Sequence, residues 1–166
     1  MVKRNIFLTI LTALLVLTLS SCSLDLKGES LHAFTGRIND YGDYCITPEG
    51  FIIDEGTATL SRFFRFGEDE ELLIKLHLNE RNRINEMHIV FENKICNNTY
   101  AYTFILDCIK AFCNDESTFS KILEKSDFEN NIKEVDMQTK SAEHGNVELL
   151  IDTTEIGTVV SIYKDI

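Results

Sequence analysis

LLIKLHLNERNRINEMHIVFE, residues 72–92, decides the fold: two apolar alternations of period two flank a short polar stretch, and the period changes soon afterwards. Leu72, Ile74, Leu76 and Leu78 alternate with Leu73, Lys75, His77 and Asn79, while Met87, Ile89 and Phe91 alternate with Glu86, His88, Val90 and Glu92. Successive side chains of a strand point to opposite faces, so each apolar set lines one face, and the pair predicts an antiparallel hairpin of 72–78 with 84–92. Keeping both apolar sets together requires paired residue numbers with an odd sum, such as 165 or 163. The first register sets His77 opposite His88, and the second sets His77 opposite Glu86.

Downstream, Ala101, Ile105, Cys108 and Phe112 recur at helical spacing, with Phe104 and Ile109 beside them. That stripe predicts a helix over 98–113 with Asn97 or Asn98 as its cap, and Asn114 or Asp115 can cap a second through about Lys125, carrying Phe119, Ile122 and Leu123. Strand patterns return at 134–140, 146–152 and 158–164, with a turn at His144-Gly145. Upstream, the turn signals Tyr41-Gly42, Pro48-Glu49-Gly50 and Asp54-Glu55-Gly56 divide segments read as strands at 31–38, 43–46, 50–53 and 57–66. Strands, then helices, then strands predict an α+β fold, an antiparallel β-sheet with two helices packed on one face.

The 166 residues suit one domain, which this pattern places at 31–166. At the amino terminus, Lys3 and Arg4 precede an uncharged apolar run, 6–19, of fourteen residues. A membrane span needs about 20, so the run has the layout of an export signal instead. It ends in Leu19-Ser20-Ser21-Cys22, which resembles the lipobox of bacterial lipoproteins. The resemblance implies a signal peptide over 1–21, cleavage before Cys22, and a diacylglyceryl group on the Cys22 thiol as its link to membrane lipid. It also implies an extracytoplasmic, cell-envelope location, at the outer membrane if the host is Gram-negative, because residue 23 is Ser and not Asp. A tether, 22–30, would keep the domain near the bilayer, since Ser23 to Ser30 extends at most about 26 Å.

Cleavage removes Lys3 and Arg4 and no acid, leaving 14 cations against 27 anions and a charge of −13. Such a surface disfavours nucleic acid and anionic lipid heads and is compatible with a cationic partner, peptide or metal ion, an envelope protein partner among them, although simple solubility is the plainest reading of the charge. Cys45, Cys96, Cys108 and Cys113 remain after lipidation. Helix rise separates Cys108 from Cys113 by about 7.5 Å and Cys96 from Cys113 by about 25 Å, so at most one disulfide is expected.

Motifs for chemistry are sparse. Ser161-Ile162-Tyr163-Lys164 matches SxxK, but a strand sends Ser161 and Lys164 to opposite faces. Residues 127–138 offer Asp127, Glu129 and Asn131 at calcium-loop spacing, yet Ile132, Lys133 and Gln138 occupy the positions that need Gly, a ligand and Glu. His77, His88 and Glu86 could ligate Zn or Cu, but open surface pairs lack the three or four ligands and the supporting shell that a dedicated site needs, so the expectation is two solvated histidines on a polar face with no metal. Phe63, between Arg62 and Arg65, is expected under a loop; on a solvated face it would be an anchor for a protein partner. The sequence therefore predicts no catalytic residues and no cofactor: a non-catalytic binding or structural module. The alternatives are an inhibitor or immunity-type module binding a cationic protein, and an enzyme with a dispersed site.

Overall fold

The computed structural model describes residues 29–68, 70–133 and 137–164; Cys22 and the apolar run before it lie outside them. Seven strands are present: β1 (Ile52–Ile53), β2 (Thr59–Arg65), β3 (Glu71–Leu78), β4 (Ile84–Phe91), β5 (Gln138–His144), β6 (Val147–Thr153) and β7 (Thr158–Lys164). They form one antiparallel sheet in the order β1-β2-β3-β4-β7-β6-β5. Helices α1 (Leu31–Tyr41), α2 (Thr99–Cys113) and α3 (Glu116–Ser126) accompany the sheet, with a one-turn α4 (Phe128–Asn131). The chain leaves β4, runs through α2, α3 and α4 to the far edge, and returns as the β5-β6-β7 meander to lie beside β4. The fold is α+β, as the sequence predicts.

One sheet face carries the core. Leu72, Ile74 and Leu76 of β3, Met87 and Ile89 of β4, Val160 and Ile162 of β7 and Leu149 and Ile151 of β6 are buried with Phe104, Ile105, Cys108, Ile109 and Phe112 of α2. The hairpin takes the register that sums to 163, with Leu76 opposite Met87 and His77 opposite Glu86. Asn98 caps α2 by accepting from the amides of Tyr100 and Ala101. Asp115 caps α3, while Asn114, left-handed at φ 56°, closes α2. Asp127 has a second structural role, ending α3 at φ 47° and leading into α4, in the segment that resembles a calcium loop only in spacing.

The expected strand at 31–38 is instead helix α1, so three helices of this size are present where two were expected. Ser30 supplies the cap, its Oγ accepting from the Ala33 amide at 3.2 Å. Phe34 and Ile38, one turn apart, are fully buried. Burying such side chains stabilises by about 1.5–3 kcal/mol each, which outweighs the strand-like alternation of the short window Leu31-Ala33-Thr35. Residues 43–46 also form no strand. The Ile46 amide donates to Asn39 Oδ1 at 2.9 Å and the Asn39 amide donates to the Ile46 carbonyl at 2.8 Å, so a side chain takes the place of a neighbouring strand. Of 50–53, only Ile52–Ile53 pairs, after a 3₁₀ turn at Pro48–Gly50.

Glu29, which the sequence places in the tether, pairs with the sheet. Its backbone exchanges hydrogen bonds with Ile84 at 2.7 and 3.3 Å. The Glu29 carboxylate pairs with Arg37, whose guanidinium also donates to the Ala111 carbonyl at 2.7 and 3.0 Å, near the negative end of α2. Burial raises the Glu29 pKa, against the opposing pull of Arg37.

Candidate functional site

Among the described residues, no helix covers the second sheet face, and the strand registers arrange its side chains in rows. Phe63, Leu73, Val90 and Val159 are successive cross-strand neighbours on β2, β3, β4 and β7. The next row is Ser61, Lys75, His88 and Ser161, and the third is Thr59, His77, Glu86 and Tyr163.

The first row floors a groove of about 390 Å³, walled by Phe63 and Ile156 and rimmed by Glu71 and Glu92. Phe63 is 66% exposed and Ile156 84% exposed. Among the described residues, no loop covers Phe63, contrary to the sequence expectation. The reason is topological: the described helices pack on the face that takes Phe64, and no described element crosses the face that takes Phe63. Gly157 at the groove's end allows close approach, since a Cβ there would come within 2.8 Å of the Phe91 carbonyl oxygen.

The second and third rows hold the polar cluster. One possible ligand atom from each of His77, Glu86 and His88 lies within 4.8 Å of the others. The imidazoles of His77 and His88 meet edge to face with centroids 5.0 Å apart. Thr59 Oγ1 lies 3.0 Å from His77 Nδ1, Ser161 Oγ 2.7 Å from His88 Nδ1, and Glu86 Oε1 2.7 Å from His88 Nε2. All three side chains are half-buried. Burial lowers the His88 pKa, Glu86 opposes this, and His77 and Lys75 add to the lowering. The sequence identified these three residues but missed Thr59 and Ser161, which come from strands on either side of the hairpin.

Ser161, His88 and Glu86 share the connectivity of a nucleophile, base and carboxylate. Catalysis of acyl transfer also needs donors aimed at the developing oxyanion. Here the backbone around Ser161 is paired with His88 on one side and Leu150 on the other, so its amides are committed to the two ladders. Ser161 itself is only 5% exposed. Lys164 faces away, its ammonium 5.1 Å from the Phe112 ring centroid, which separates the two residues of the SxxK match.

A polar concavity of about 540 Å³ at the opposite end of β4 is lined by Glu29, Arg83, Cys113, Asp115 and Lys164, among others. Its charged groups serve the structure, as the Glu29–Arg37 pair shows. Its thiol is unreactive: burial pushes Cys113 up to about 12, with Lys164 opposing. Burial, with Asp107 adding to it, also holds the Cys108 thiol well above its ordinary value. Cys45, Cys108 and Cys113 are free thiols, and the Cys96 side chain lies outside the described residues. Because the thiolate is the reactive form, iodoacetamide at neutral pH should label exposed Cys45 in the native protein and reach Cys108 and Cys113 only after unfolding. Peptide mass mapping that found all three equally labelled without denaturant would contradict their burial.

Comparison of the chain with protein-family models, curated proteins and solved structures gives no match.

Proposed function

We propose that this chain is a lipid-anchored, extracytoplasmic binding module of a bacterial cell envelope. Its uncovered sheet face captures a segment of a partner protein in which apolar side chains are flanked by cations. The observation that carries this reading is the apolar row Phe63, Leu73, Val90 and Val159, with Phe63 exposed and the other three half-buried, on an otherwise strongly acidic chain. An apolar strip rimmed by charge marks an interaction surface, and large aromatics at the rim of a pocket are common anchors. The chain's overall excess of acids favours cationic flanks.

The anchor end supports the same reading. Glu29 joins the sheet at Ile84, the start of β4, whereas the groove lies at Val90, six residues further along that strand. At about 3.4 Å per residue, the groove stands roughly 20 Å beyond the point where the chain from Cys22 enters the domain. On this reading the groove lies at the end of the sheet remote from Glu29.

The test is binding of a fluorescent peptide with a Leu-Phe-Leu centre flanked by lysines, measured by anisotropy. Saturable binding is expected, with Phe63→Ala costing on the order of 2 kcal/mol, roughly thirtyfold in Kd. A glutamate-flanked peptide of the same centre should bind far more weakly. Equal binding of both peptides, or no effect of Phe63→Ala and Ile156→Ser, would sink the proposal.

A further inference from the structure

Independently of the groove, we propose that His77, Glu86 and His88 form a binding site for a divalent transition-metal ion, with Zn²⁺ best matching the donor set. From the sequence alone this cluster is expected to be a solvated pair of imidazoles, lacking the three or four ligands and the supporting shell of a dedicated site. The strand register answers both objections.

The third ligand is Glu86, directly opposite His77 and two residues from His88 on the same strand face. One ligand atom from each residue already lies within 4.8 Å of the others. Ligands at about 2.0–2.1 Å from a tetrahedral Zn²⁺ sit about 3.4 Å apart, so closure requires side-chain shifts of roughly 1 Å. Such shifts fit within single rotamer wells, and the strands beneath need not move.

The supporting shell comes from β2 and β7. Histidines that hold a metal engage their second ring nitrogen with a hydrogen-bonding partner, which fixes ring orientation and tautomer. Thr59 holds His77 through Nδ1 at 3.0 Å, and Ser161 holds His88 through Nδ1 at 2.7 Å. Both Nε2 atoms remain for the metal. On binding, each Nδ1–H donates to its hydroxyl oxygen, and Glu86 exchanges its hydrogen bond with His88 Nε2 for a bond to the ion. Ligation needs the neutral imidazole, so binding is expected to weaken as the pH falls.

Lys75, directly opposite His88, opposes a cation here. Its flexible stem lets the ammonium turn to solvent, and the acidic chain attracts cations overall. Three protein ligands leave a fourth position open, the arrangement of an exchangeable site and not of a closed structural one.

The experiment uses the full chain in detergent, stripped with a chelator and titrated with Zn²⁺ by calorimetry. One ion per chain is expected, with affinity in the micromolar range or tighter. Co²⁺ should give visible bands without a thiolate-to-cobalt transition, which separates this site from adventitious binding at Cys45. His77→Ala and His88→Ala should each weaken binding by more than about 100-fold, and Thr59→Val or Ser161→Ala by roughly 10- to 100-fold. Lys75→Met should tighten it. Circular dichroism of the metal-free variants checks that they fold. If a histidine variant does not fold, Glu86→Gln and Thr59→Val carry the decision, because both nearly preserve side-chain shape. No saturable binding by the wild type, or unchanged affinity in the folded variants, overturns the proposal.

Discussion

Replacing Phe104 by alanine should cost about 3–5 kcal/mol of stability, the range for deleting a fully buried aromatic side chain. Phe104 is 1% exposed on α2, at the centre of an aromatic cluster. Its ring centroid lies 4.8 Å from Phe64, 5.0 Å from Tyr44 and 5.4 Å from Phe66. These partners come from β2, from the turn after it and from the segment after α1, so one side chain joins α2 to three other parts of the chain. Truncation leaves a void that they cannot all close, and it also removes aromatic contacts, edge-to-face with Tyr44 and tilted with Phe64 and Phe66, worth about 0.5–1.5 kcal/mol each. The Tyr44 hydroxyl, which donates to Asp107 Oδ2 at 2.9 Å, holds its ring in place and limits collapse into the gap. A domain of this size is stable by about 5–15 kcal/mol, so the variant should sit near the edge of folding. Urea denaturation would show a large fall in midpoint at constant slope. Phe63→Ala, a change of the same chemistry on the open face, should cost less than about 0.5 kcal/mol. A Phe104 variant as stable as the Phe63 variant would contradict the packing described.

The difference between those two phenylalanines shows what was legible in the sequence. Phe104 lies within a helix long enough for its period to identify the buried stripe. Phe63 lies in a short strand with aromatics on both faces, and periodicity does not say which face the helices cover. That depends on the path of the chain from β4 to the far edge of the sheet, a non-local property. The hairpin behaves similarly. Alternation restricts the register to odd sums, but a shift by two residues preserves every face, so 163 and 165 are equivalent by pattern. The turn decides between them: Asn79 Oδ1 accepts from the amides of Arg81 and Arg83, and Asn82 adopts φ 56°. The register shift at His77/Leu78 then fits this turn to the ladder.

The polar cluster was legible only in part for the same reason. His77, Glu86 and His88 belong to one hairpin and are brought together by local pairing. Thr59 and Ser161 reach them through β2–β3 and β4–β7 pairing, and Ser161 is 73 residues from His88. No period or spacing in the chain announces that contact. Helix α1 was missed from the opposite direction, because its window is short and its identity rests on the Ser30 cap and on burial of Phe34 and Ile38 against elements far away in sequence.

On the proposed reading, Cys22→Ala should abolish incorporation of radiolabelled palmitate in bacteria and leave a precursor longer by the 21 residues that precede Cys22. The effect is all or none, because the thiol is the only atom to which the diacylglyceryl group is joined and the cut before residue 22 depends on it. Two acyl chains give stable attachment where one is marginal, at about 0.8 kcal/mol per buried methylene, so the unmodified side chain offers no partial substitute. Membrane fractionation alone would mislead, since the uncleaved apolar run of fourteen residues can itself hold the variant at the membrane. Labelling and processed size are therefore the readouts. Among the described residues, no helix is long and apolar enough to cross a membrane. With Glu29 already in the sheet, six residues, 23–28, separate it from Cys22 and span at most about 20 Å. Lengthening that stretch with glycine and serine should preserve labelling and processing, because neither depends on the domain. Labelling of the alanine variant equal to that of the wild type would remove the anchor from the reading.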